Sequence, residues 1–176
     1  MQALAPLTTN QKAFLSMASV SEGTAHAPDP YRVCYRPAPP KPAHIIVSLD
    51  DHPSVTGEWE GESLADLGVN YEHSVSTAAG RYQIIKPTWL DFKKFFGMPE
   101  KGIGLFAGPY QDACAMWLIK QHGALTAVNC GQIETAVQLC ANIWASFAGS
   151  TAPDQHHNSM QMLSNAFESN GGRAFA

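Results

Sequence analysis

Six of the chain's twelve prolines fall between Pro28 and Pro42. Proline fixes φ and has no amide proton to donate, so a stretch this rich in it cannot be helical. The segment from Thr24 to Tyr71 carries instead short runs of β character, Tyr31 to Tyr35 and His44 to Leu49, set between turn residues. Helical periodicity both precedes and follows it. The prolines therefore predict a small β-containing lobe, about residues 24–75, inserted into a mainly helical body. This is an α+β arrangement with a substrate-sized cleft expected between its parts. A chain of 176 residues, 45% hydrophobic, fits a single domain of that kind.

The helices have readable ends. Thr8-x-x-Gln11 has the form of a capping box, and Ala13, Phe14, Met17 and Ala18 follow at three- and four-residue spacing, predicting a helix from about Thr9 to Ser21. Pro87 fits the first turn of a second helix carrying Trp89, Phe92 and Phe96, with Gly97 to end it. Pro109 opens a third that runs to Gly123. A fourth is expected over Gln132 to Phe147, with Ile133, Ala136, Val137, Cys140, Ile143, Trp144 and Phe147 on its apolar face, and a last one near Asn158 to Asn170 before Gly171-Gly172.

Charge and motifs exclude several classes of function. A formal charge of -4 with no Lys/Arg block argues against nucleic-acid binding, and no segment is long and apolar enough for stable membrane insertion. No basic, apolar export leader opens the sequence, so a cytosolic chain is expected. Four cysteines without a C-x-x-C pair read as free thiols. The seven histidines lack the spacing of a formed metal site, and no phosphate loop, nucleophile elbow or dinucleotide fingerprint is present, so neither metal nor cofactor is expected. The acidic residues Asp50, Asp51, Glu58, Glu60, Glu62, Asp66 and Glu72 read as a solvated loop face.

Glu22 differs from those acids. It falls at the end of the first helix, where the negative end of the helix dipole disfavours its charged form, and its neighbours Val20, Ser21, Gly23 and Thr24 carry no cation. On these grounds alone it is a solvated acid or a proton donor.

Three blocks sharpen that choice. Glu22-Gly23-Thr24, Ser76-Thr-Ala-Ala-Gly-Arg-Tyr-Gln83 and Cys140-Ala-Asn-Ile-Trp-Ala-Ser146 resemble, in order, segments of the bacteriophage lambda endolysin family, with weaker matches at Asp51-His52-Pro53 and Gln121-His-Gly-Ala-Leu125. The resemblance runs from about Asn10 to Gly172. It implies a lysozyme-like fold and a lytic transglycosylase that cleaves the bond between N-acetylmuramic acid and N-acetylglucosamine in peptidoglycan, leaving 1,6-anhydromuramic ends. Glu22 matches the family's catalytic acid. Gly80-Arg-Tyr-Gln83 with Thr88 resembles a wider transglycosylase pattern that makes Gln83 a substrate contact. Tyr82 is expected to stack on sugar or to floor the cleft, Ser76 and Thr77 to hydrogen-bond it, and Trp59 to meet a sugar face from the lobe edge. Arg81 is expected to tie the turn to the body, and Trp144 to be core.

The same resemblance implies a monomer whose partner is the glycan strand, held in the host cytoplasm until lysis and then acting on the wall, with a holin involved only through its release. Two alternatives stay open. One is a hydrolytic muramidase with Asp50, Asp51 or Glu58 as second carboxylate; the other is a catalytically silent virion module that binds the wall. The chain also departs from the family's pattern. Gly23 stands where many transglycosylases carry serine, Arg36-Pro-Ala-Pro-Pro-Lys-Pro42 replaces a Gly-Gly, the stretch from Pro53 to Ser76 is longer, and the loop Ala148 to His157 lacks the glycine- and tyrosine-rich character of the family's opposing lip.

Overall fold

The first helix begins where its capping box puts it. Thr8 Oγ1 accepts from Gln11 N (3.3 Å) and the Gln11 side chain accepts from Thr8 N (3.0 Å), so two amides that a helix start leaves open are satisfied reciprocally. In this computed structural model, which describes residues 6–36, 41–152 and 156–175, α1 spans Thr9–Ser21 and buries Ala13, Phe14, Leu15, Met17 and Ala18. The part of the proline-rich departure at 37–40 and of the 148–157 loop at 153–155 lies outside the described residues.

Two compact units divide the chain: residues up to Ala25 together with those from Ala115 onward, and His26–Cys114. In the first, α1 packs against α5 (Leu125–Cys130) and α7 (Met160–Ser169), and α6 (Ile133–Cys140) packs against α5 and α7. Phe14 meets Trp144 edge-on at 6.5 Å and Phe147 at 6.1 Å, and all three are buried. Truncating Phe14 to alanine would cost roughly 3–5 kcal/mol. Trp144, 2% exposed, is core.

The second unit holds α2 (Pro53–Thr56), α3 (Lys86–Phe95), the start of α4 (Gly108–Gln121) and an antiparallel ladder of β1 (Glu62–Ser63) with β2 (Val75–Ser76), in which Glu62 faces Ser76. Its core joins Trp89, Phe92, Phe106 and His52; Trp89 and His52 meet Phe106 edge-on at 4.9 and 5.0 Å. His52 is wholly buried as a neutral ring: Nε2 donates to Ile84 O (2.9 Å), Nδ1 accepts from Ser54 N (3.2 Å) to cap α2, and burial lowers its pKa to about 4.

Where the structure departs from the sequence reading, the causes are local. Tyr31 to Tyr35 is not a strand: Pro30–Arg32 forms a 3-10 turn capped by Asp29 Oδ1, and β pairing there is reduced to isolated bridges, Val33 with Ile45 and Cys34 with Ala79. Nor is His44 to Leu49, because the Glu58 carboxylate takes the Val47 and Ser48 amides (2.6 and 3.1 Å) that a neighbouring strand would have paired. The helix expected to reach Phe147 stops at Cys140, whose carbonyl accepts from both Ile143 N and Trp144 N and tightens the chain into turns. Its apolar period persists because Trp144 and Phe147 still pack on Phe14. Asp51 is no solvated acid. It is 4% exposed, ion-paired with buried Lys93, and accepts from Trp89 Nε1 (2.6 Å) and His52 N (2.8 Å).

Candidate active site

Glu22 is the C-cap of α1, its amide still donating to Ala18 O (2.9 Å). The next residue turns the chain out of the helix with φ at +71°, a conformation glycine adopts without a Cβ penalty. Gly23 is thus explained by backbone geometry, and the side chain that orients Glu22 comes from elsewhere. Ser146 Oγ donates to Glu22 Oε1 at 2.5 Å. Ser146 in turn lies 2.7 Å from Ser21 Oγ, which accepts from Asn158 Nδ2 at 3.0 Å.

The Glu22 side chain is only partly accessible, and burial raises its carboxyl from 4.5 to about 7, the Ser146 hydroxyl offsetting part of that rise. Among the described residues no charged group contributes to the shift. Such a carboxyl is about half protonated near neutrality, the condition for giving and regaining a proton.

The segment from Ser76 to Gln83 lies in the other unit and is pinned from below. Gly80 has φ +75°, and a Cβ there would come within 2.0 Å of Gln111 Oε1, which accepts from Arg81 N at 2.9 Å. Gln111 Nε2 holds the carbonyls of Tyr31 (2.9 Å) and Phe106 (2.8 Å). Arg81 donates to Tyr31 OH (2.9 Å), itself 3.0 Å from Asp112 Oδ1, so the arginine anchors the turn through a tyrosine to a carboxylate.

Tyr82 does not fit the sugar-stacking role expected of it. It is 1% exposed, and its hydroxyl donates to Asp112 Oδ1 at 2.7 Å, so its ring is a core surface under the turn. Gln83 is held at φ +50°, unusual for a residue with a side chain, and Nε2 donates to Val33 O (3.1 Å) and Gly80 O (3.0 Å). Both of these side-chain bonds use the nitrogen, so Oε1 remains as an acceptor. The hydroxyls of Ser76 and Thr77 accept from Ala78 N (3.2 Å) and Lys86 N (3.0 Å), which leaves each O–H as a donor. Trp59 is partly exposed and parallel to the His44 ring at 6.1 Å.

The alternative carboxylates are engaged in structure. Asp51 is buried in the network described above. Glu58 accepts from two amides and from His44 Nε2 (3.0 Å); despite some desolvation, these bonds lower its pKa. Asp50 is exposed and accepts from Gly104 N at 3.2 Å.

Residues 12–174 match the family model described as Endolysin. The chain belongs to the endolysin family. An endolysin of Escherichia phage P2 is 34% identical over 167 residues, 93% of each chain, and the endolysin of Escherichia phage lambda is 29% identical over 170 residues, 94% of each. The solved structure of bacteriophage lambda lysozyme complexed with a chitohexasaccharide matches with a TM-score of 0.77 at 28% identity, over 98% of this chain and all of that one. The endolysin family and the lysozyme-like fold are therefore those the sequence blocks implied. Sequence reasoning missed what holds Glu22 in this endolysin-family chain. Ser146 lay inside a matching block without a role, and neither Ser21 nor Asn158 carries a local pattern that tells it from a surface polar residue.

Proposed function

We propose that the chain cleaves the MurNAc-GlcNAc β-1,4 bond of bacterial peptidoglycan by intramolecular transglycosylation, with Glu22 as acid and then base. Glu22 protonates the leaving oxygen as the C1–O bond breaks; the resulting carboxylate takes the proton of the muramoyl C6 hydroxyl as that oxygen bonds C1. No water is consumed, and the product carries a 1,6-anhydro ring. The carbohydrate bound in the related lambda lysozyme supports a glycan strand as the ligand.

One observation carries the reading: the Glu22 carboxyl, raised to about 7 by burial, has a neutral hydroxyl as partner and, among the described residues, no cation. A hydrolase of the usual kind needs a second carboxylate to activate water or to act as nucleophile. Asp51 and Glu58 are committed to ion pairs and amides, which supports a mechanism that needs one carboxylate.

Mass analysis of digested peptidoglycan tests it. Anhydro-muropeptides, lighter by one water than hydrolysed ones, are expected; reducing muramic ends as the main product would overturn transglycosylation.

A further inference from the structure

The bonds around Asn158 have a forced direction. Its Nδ2 lies 3.3 Å from Ser21 O and 3.2 Å from Ser146 O, and carbonyl oxygens can only accept. Flipping the amide would set Oδ1 against both, so Nδ2 faces them, its two protons shared among these carbonyls and Ser21 Oγ (3.0 Å), and it cannot accept the Ser21 proton. Ser21 must send its own proton onward. One candidate acceptor, Ser146 O at 3.4 Å, already takes Asn158 N at 2.8 Å and Asn158 Nδ2. The other, Ser146 Oγ, lies at 2.7 Å. Ser146 then accepts from Ser21 and has one direction left for its proton, Glu22 Oε1 at 2.5 Å.

We infer that Asn158, acting through Ser21 and Ser146, is a positioning residue that makes Glu22 Oε1 a permanent acceptor, so that Oε2 is the oxygen that both delivers and recovers the proton. In the neutral acid, Oε1 is the carbonyl oxygen and Oε2 carries the hydrogen. In the carboxylate, the Ser146 hydroxyl still occupies Oε1 and the returning proton meets Oε2. The acid thus needs no internal proton shift between its two half-steps. Among the described residues, the titratable groups nearest in sequence to these hydrogen bonds are His157, whose Nδ1 meets Ala145 O at 2.8 Å, and the exposed His156 and His26, and Lys12 lies further back on α1; none contributes to the Glu22 shift.

The inference rests on Glu22 as proton carrier, and its test reads the carboxyl directly. Protein labelled at the glutamate side-chain carboxyl carbons is titrated by carbon NMR, with Glu22→Gln assigning the signal. Ser146→Ala removes a donor that favours the charged form, so the Glu22 midpoint rises by about one unit. Asn158→Ala and Ser21→Ala each free the chain to reverse and raise it by less, lowering kcat with KM unchanged. Ser146→Thr, which keeps the hydroxyl, restores both. Asn158→Ala added to Ser146→Ala moves the midpoint no further, because Asn158 acts through Ser146. A wild-type midpoint in the Asn158 and Ser21 variants, or an additive shift in the double variant, overturns the inference. Ser21→Ala keeps the Asn158 bridges to both carbonyls and serves if Asn158→Ala does not fold. Full lysis by Glu22→Gln would sink the proton-carrier reading while leaving the titration result intact.

Discussion

Ser146 Oγ meets Glu22 Oε1 at 2.5 Å although 124 residues separate them in sequence. One comes from the end of α1, the other from turns that follow α6, and each is useful through the other. The hydroxyl is neutral, so it fixes the carboxyl's direction without stripping it of its proton as a lysine or arginine would.

Replacing Glu22 with glutamine keeps the shape and removes the proton. Lysis of chloroform-treated cells should fall by about 10²–10⁴-fold, the usual contribution of a positioned acid-base group. Pull-down on purified cell walls should be unchanged. A lytically competent variant would refute the role given to Glu22.

The same carboxyl makes stability depend on pH. With its pKa raised from 4.5 to about 7, the folded chain binds more protons than the unfolded chain between those values. Stability is therefore full below about 4.5, declines as pH rises toward 7 and then levels off. Glu22→Gln should unfold at the wild-type temperature at pH 4 and be more stable by about 1–3 kcal/mol at pH 8, as seen in thermal melts. Lytic activity should decline as pH rises through about 7, where the acid form is lost.

Tyr82→Phe separates a buried anchor from a sugar contact. Losing the hydrogen bond to Asp112 should cost about 1–3 kcal/mol in denaturant titrations, because a charged acceptor is left short of a partner. KM for peptidoglycan should stay at the wild-type value. A raised KM with unchanged stability would return Tyr82 to the substrate.

Lys93→Met leaves the Asp51 carboxylate buried without its cation and should cost about 3–5 kcal/mol. Pairing it with Asp51→Leu removes both charges and should recover much of the loss, with lysis retained. Loss of lysis in a well-folded double variant would revive Asp51 as a second catalytic carboxylate.

Patterns that repeat along the chain were legible. The Thr8-Gln11 box and the apolar period gave α1 its observed limits, and Pro87 and Pro109 stand in the first turns of α3 and α4. The short ladder and α5 were not, because two- and six-residue elements are too brief for a period to emerge. Glu22 was legible through its helix end and its matching block. Its supports were not: Asn158 and Ser21 become distinctive only when folding sets their side chains side by side. Tyr82 illustrates the converse, a residue in a functional-looking turn whose place is beneath it.

Glu22 lies near the start of the chain, while the residues that fix its carboxyl, Ser146 and Asn158, belong to the last third. The unit containing them is interrupted by the whole of His26–Cys114. During synthesis, α1 leaves the ribosome long before its partners, and for that interval its glutamate is an ordinary solvated acid with an ordinary pKa. Assembly of the proposed proton carrier is therefore timed by translation, and a chain truncated before Ser146 has Glu22 without the hydroxyl that orients it.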